Sequence, residues 1–231
     1  MSSPLANPLP PLTGDRFAAQ LRGFGPLGVV AMLVILGANF VAAPLSAVLV
    51  LVWVWRSETP WRDIGYVPPP SWIRTITGGV VFGSALKLVL KAIMMPLLGA
   101  PPINQPYHHL VGNAAAIPIT VLALTVGAGW GEETVYRGYL FERLGRLLGS
   151  GVGAKTAVVL FTTTLFALAH YPEQGLAGAE QATITGAVFG TIFAVTGRLV
   201  WVMIAHAAFD LTAYAIIYWN LEADVAHIFF Q

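Results

Sequence analysis

The sequence predicts an all-α fold, a polytopic transmembrane helical bundle of about six spans (six to eight). Three observations carry that prediction. Hydrophobic residues make up 56% of the 231-residue chain and charged residues only 10%, against about 25% charged in a soluble domain. The mean hydropathy is +0.72. Long uncharged runs recur, and about 20 helical residues suffice to cross a hydrocarbon core about 30 Å thick. A chain of this length suits one domain, so the surplus apolar surface is expected to face lipid rather than to enlarge a core.

Residues 1–23 are expected to be a disordered N-terminal tail, Pro-rich in "MSSPLANPLPPLTG". No basic segment leads a short apolar core to a small-residue cleavage site, so this stretch does not read as a cleaved signal. Residues 24–231 then form a single membrane domain. The run from Phe24 to Trp55 carries no charge and is expected to give one long or kinked span, with Pro44 as the kink, rather than two. "RSETPWRDIGYVPPPSW" follows as a polar loop whose Trp residues suit the headgroup layer. Further spans are expected over residues 72–98, 117–146, 153–171, 183–197 and 199–219. "GAPPINQPYHHLVGN" separates the second from the third as a loop, which places His108 and His109 in solvent.

A net charge of +1 and the absence of any nucleic-acid motif argue against DNA or RNA as a partner. With no cysteine, disulfides, thiolate metal sites and thiol nucleophiles are excluded. Arg56, Arg62, Arg74, Arg143, Arg146, Lys155 and Arg198 fall on one side of the expected topology. Arg16 and Arg22 fall on the other, joined by Lys87 and Lys91 if these snorkel, which leaves seven against four. The positive-inside rule then puts loops 56–74 and 142–155 in the cytoplasm and both termini outside.

Ionisable groups at membrane depth cost about 2.5–3.5 kcal/mol each on insertion scales, so they are functional candidates. They are Glu132, Glu133, Arg137, His170, His206 and Asp210. Glu133 and Arg137 are four residues apart and stack on one helical face, as do His206 and Asp210, and Phe166 and His170. Glu132 points about 100° away from the Glu133–Arg137 pair, which suggests one structural acid and one chemical acid. Taken singly, Glu133 with Arg137 reads equally well as a packing ion pair, and His170 as an interfacial histidine. The set, with an unpaired acid, two histidines and an aspartate, reads as one shared site. Gly186 and Gly190 read as a close-packing pair of small residues.

Several chemistries are absent. The chain has no His-Glu-x-x-His, no Gly-x-Ser-x-Gly, no P-loop and no dinucleotide fingerprint. A carboxylate with imidazoles suits general-base activation of water and stabilisation of an oxyanion.

"EETVYR", "FALAH" and "HAAFD", in that order on successive helices, resemble the motifs of the CPBP family, the CAAX prenyl proteases and bacteriocin-processing enzymes also called the Abi family. The resemblance covers residues 117–215. It implies an intramembrane endopeptidase acting on membrane-associated protein or peptide substrates in a cell membrane, a bacterial one by the substrates the motifs suggest. It maps the catalytic carboxylate to Glu132 and its water-positioning partner to His170. It places His206 and Asp210 around the scissile carbonyl oxygen, with Glu133 and Arg137 in support. Asp210 stands where prenyl-processing members resemble Asn, which points away from a prenylated substrate. Glu132, His170, His206 and Asp210 are numerous enough to ligate Zn2+. A mechanism without an obligatory metal is favoured, because ligation of Glu132 would leave no acid clearly free as base. The alternatives are an ion- or proton-coupled carrier using the same buried groups, or an immunity or scaffold protein that only binds partners.

Overall fold

The computed structural model describes residues 13–230, and all regular structure among them is helical. The sequence predicts a disordered tail over residues 1–23, but α1 (Thr13–Arg22) is a helix; residues 1–12 lie outside the described residues. Packing accounts for it. Ala18 and Leu21 of α1 are buried, Trp53 donates its indole N–H to the Leu21 carbonyl at 3.2 Å, and the Arg56 guanidinium lies 5.4 Å from the Phe17 ring centre.

The expected first span is instead a hairpin of two short helices, α2 (Pro26–Asn39) and α3 (Ala43–Arg56). Ser46 near the start of α3 donates to the Ile35 carbonyl near the end of α2 at 2.7 Å. Trp53 near the end of α3 reaches Leu21, just before α2 begins. The chain therefore turns back at residues 40–42. Each helix has 14 residues, about 21 Å at 1.5 Å per residue, which is short of a full crossing. Pro44 occupies the first turn of α3, where its missing N–H would have had no helical partner, and does not kink a longer helix.

This hairpin moves α1 to the other side of the expected topology. Arg143 donates to the carbonyls of Arg22 and Gly23 at 2.7 and 2.9 Å, and Arg22 donates to the Glu58 carbonyl at 3.5 Å. Arg16 and Arg22 thus join the seven basic residues already expected at that end. Lys87 and Lys91 do not snorkel; they are 7% and 9% exposed and bond inward.

Helix α4 (Trp72–Leu97) starts at an N-cap, where the Ser71 hydroxyl accepts from the Arg74 N–H at 3.4 Å. Its buried stripe is Thr75, Gly79, Gly83 and Lys87, one residue per helical turn. The two glycines bring it into backbone contact with α7 (Leu199–Tyr218). A Cβ on Gly83 would lie 2.0 Å from the Ala205 carbonyl oxygen, and one on Gly79 2.8 Å from Ile204 Cγ2. Small residues let membrane helices approach this closely.

Helix α5 (Ala114–Leu148) is wound as a π-helix over Ala123–Glu132 and again over Thr134–Tyr139, where the sequence predicts an ordinary span. Wide turns of this kind gather at functional sites. Helix α6 (Val152–Thr196) reverses at Gly175, which has φ +65°, a conformation suited to glycine. Gly186 packs on Thr163 and Gly190 on Val159, so residues 152–174 and 176–196 run antiparallel. These arms are the expected fourth and fifth spans. The expected small-residue role of Gly186 and Gly190 holds. A short α8 (Glu222–Ala226) closes the chain. Four helices, α4 to α7, are long and apolar enough to cross a membrane, or up to five if the bent α1–α2 pair counts as one.

Candidate active site

The wide-turned segment of α5 presents its two acids differently. Glu133 is fully buried and its Oε1 accepts from Arg137 at 2.6 Å. The same oxygen accepts from Nδ1 of His206 on α7 at 2.7 Å. Glu133 is therefore committed to two donors. Glu132 makes no hydrogen bond among the described residues, and its Oε2 is buried without a partner. The side chain as a whole is 22% exposed, and Oε2 stands 3.9 Å from His206 Nε2. Asp210, one turn along α7, approaches the same nitrogen at 3.4 Å.

Aromatic rings wall this cluster. The Arg137 guanidinium lies 4.7 Å from the Phe166 ring centre and 6.0 Å from that of Phe189. Phe189 stands 5.3 Å from the His206 ring and Phe166 stands 6.0 Å from it. These contacts exclude water from the charged pair, where unscreened attraction is strongest.

His170 joins through Phe166, whose ring centre is 4.4 Å from its own. Nδ1 of His170 lies 2.8 Å from the Phe166 carbonyl. A carbonyl can only accept, so Nδ1 carries the proton and Nε2 of the neutral ring is left as an acceptor. His170 has no hydrogen bond to Glu132, His206 or Asp210 among the described residues. His109 bonds locally to the Pro106 carbonyl at 3.0 Å, and neither His108 nor His109 enters the cluster.

Glu132, His170, His206 and Asp210 do not gather as a ligand set for zinc. Among the described residues, no group of three or more His, Cys, Asp or Glu side chains is placed to hold a metal ion. One His206 nitrogen is already taken by Glu133, and the other is shared between two acids.

Several supporting residues carry no mark in the sequence beyond being polar. Tyr66 and Thr134 share a 2.8 Å hydrogen bond, and Trp130 donates to the Tyr66 hydroxyl at 2.8 Å. This ties the basic-end loop to α5 beside the two acids. Burial pushes the Tyr66 phenol up from its ordinary value, so it stays protonated. Asn39 of α2 donates to the Tyr136 hydroxyl at 3.3 Å, which brings the hairpin against the site. At the opposite end, Tyr107 donates to Glu173 at 3.2 Å and accepts from Gln174 at 3.2 Å. Burial, and then the Glu173 charge, push its phenol up as well.

Residues 114–212 match the family model for the type II CAAX prenyl endopeptidase Rce1-like family. No curated protein and no solved structure matches the chain. The matched stretch runs from the start of α5 to just beyond Asp210, and so contains both acids, both histidines and the aspartate. Residues 114–212 are thus similar to the Rce1-like endopeptidases, and the match supports the resemblance of the three motifs to the CPBP family of intramembrane proteases.

Proposed function

We propose that the protein is an intramembrane endopeptidase in which Glu132 activates the attacking water. The observation that carries this reading is the division between the two acids. Glu133 is held by Arg137 and His206, while Glu132 is free of hydrogen bonds and partly open.

A water between Glu132 and Nε2 of His170 would give its proton to the Glu132 carboxylate as its oxygen attacks the scissile carbonyl carbon. His170 orients that water as an acceptor, because Nδ1 is occupied by the Phe166 carbonyl. The carbonyl oxygen becomes an oxyanion. When His206 carries both protons, Nδ1–H donates to Glu133 and Nε2–H is left for that oxyanion, beside Asp210. A donor of this kind contributes about 2.7–4 kcal/mol to transition-state stabilisation. The C–N bond then breaks, and the leaving amine takes the proton back from Glu132.

The substrates this reading implies are membrane-associated proteins or peptides. The basic end is assigned to the cytoplasm by the positive-inside rule. Purified protein, in detergent and in lipid nanodiscs, incubated with a peptide library tests the reading. Wild type is expected to cut and Glu132→Gln is not; a Glu132→Gln variant that cuts at the wild-type rate would remove Glu132 as the base. If neither cuts but wild type carries an ion or proton across vesicles, the carrier alternative is correct.

A further inference from the structure

Two lysines sit one turn apart on the buried stripe of α4, and the fold treats them differently. Lys91 is satisfied as a buried ammonium should be. Its Nζ donates to the Pro102 carbonyl at 2.5 Å and to the Glu222 carboxylate at 3.3 Å, and Glu222 also accepts from the Asn104 N–H at 3.0 Å. Lys87 is as deeply buried but has no carboxylate within salt-bridge distance among the described residues. Among the described residues its one hydrogen bond goes to the neutral Gln181 Oε1 at 2.7 Å, and its Nζ lies 5.1 Å from the Phe209 ring centre. Asp210, Glu222 and Lys91 act on it only at longer range.

An ammonium has three N–H donors and no acceptor, so two donors of Lys87 are unused among the described residues. The same chemistry fixes Gln181. Facing a donor-only group, its amide must turn Oε1 to Lys87, which leaves the Nε2 hydrogens without a partner among the described residues. Lys87 and Gln181 together therefore offer only donors and a positive charge. A burial this expensive, without a paired acid, marks a functional position.

The pair lies near the cluster of Glu132, His206 and Asp210. Phe209, which carries the Lys87 contact, immediately precedes Asp210. Gln181 lies eight residues before Phe189, whose ring packs on His206; eight helical residues cover about 12 Å. A short extended segment of a few residues, at about 3.3 Å each, bridges that gap.

We propose that Lys87 and Gln181 form a subsite for a carboxylate of the substrate, set one to two helical turns from His206 toward the end of the bundle opposite the basic residues. This rests on the peptidase reading of the neighbouring cluster. The carboxylate has two sources, a substrate C-terminus or an Asp or Glu side chain, and the same donors serve either.

The test uses a fluorescent octapeptide library of neutral residues, made as the free acid, as the carboxamide, and as the carboxamide with one internal Asp. Initial cleavage rates are measured with wild type, Lys87→Gln and Lys87→Arg, and retention of each library on immobilised Glu132→Gln protein is measured with and without Lys87→Gln. Wild type is expected to prefer the free acid or the Asp library at least tenfold over the plain carboxamide, and the better of the two identifies the source. Lys87→Gln is expected to collapse that preference, while Lys87→Arg keeps most of it. Melting of Lys87→Met at or above wild type would show that the ammonium is not there for stability. Cutting without any acid preference, or a preference that survives Lys87→Gln, overturns the subsite and leaves the peptidase reading intact. Lys87-dependent retention of a carboxylate library with no cutting by any variant overturns the peptidase reading and leaves the subsite. No cutting and no selective retention overturns both.

Discussion

Glu133 Oε1 accepts from Arg137 at 2.6 Å and from His206 Nδ1 at 2.7 Å. One oxygen of one buried acid thus joins α5 to α7 and sets the direction of the imidazole whose other nitrogen faces Glu132 and Asp210. The acid next to it in sequence has no such duty. A histidine held at one nitrogen presents the other in a fixed direction, so the geometry of the reacting groups depends on a residue that need not react.

Glu133→Gln is expected to lose more stability than Glu132→Gln. It leaves Arg137, which is 1% exposed, without a carboxylate, at a cost of about 3–5 kcal/mol. Glu132→Gln removes a carboxylate that makes no hydrogen bond among the described residues and is expected to melt near wild type while losing activity. Thermal melting in detergent checks both, and equal melting would contradict the separation of roles.

Gly83→Ala is expected to separate α4 from α7, because the added Cβ would fall 2.0 Å from the Ala205 carbonyl oxygen. That oxygen belongs to the backbone and cannot rotate away. Overpacking of this sort costs about 1–3 kcal/mol or more, and it displaces the residue before His206. Gly127→Ala, which meets nothing within 4 Å, is the matched control and is expected to melt within about 0.5 kcal/mol of wild type.

Membrane orientation follows from the basic end. Cysteines introduced at Ser150 and Gln20 are expected to resist an impermeant thiol reagent in intact cells, while one at His108 labels. The chain has no native cysteine, so the background is clean. Labelling at Gln20 with protection at Ser150 would mean that residues 24–55 cross the membrane as one span after all.

Exhaustive chelation is expected to leave peptide cleavage intact. The carboxylate mechanism needs only the proton that Glu132 takes and returns, the acceptor nitrogen of His170 and the donor nitrogen of His206. Activity that disappears on chelation and returns with stoichiometric zinc, measured alongside the metal content of the purified protein, would replace this mechanism with a metal-assisted one.

Much of the site is legible along the chain because its short-range spacings are helical. Glu133 with Arg137, Phe166 with His170 and His206 with Asp210 each lie four residues apart on one helix, and each pair meets in the structure. Hydropathy likewise marks the membrane helices, since an apolar run of sufficient length has few alternatives to crossing a bilayer. Local periodicity has no reach beyond its own helix. That Glu133 meets His206 across 73 residues of chain depends on how closely α4, α5 and α7 pack, which small residues such as Gly83 and Gly129 permit. The uncharged run from Phe24 to Trp55 is long enough for a kinked span. It becomes a hairpin because Ser46, Trp53 and Arg143 find partners only when the chain turns back. Lys87 looked free to snorkel until the glycines below it drew α4 against α7 and enclosed its ammonium. Composition and period decided that this chain enters a membrane and which residues stand ready for chemistry; packing between helices decided which of them touch.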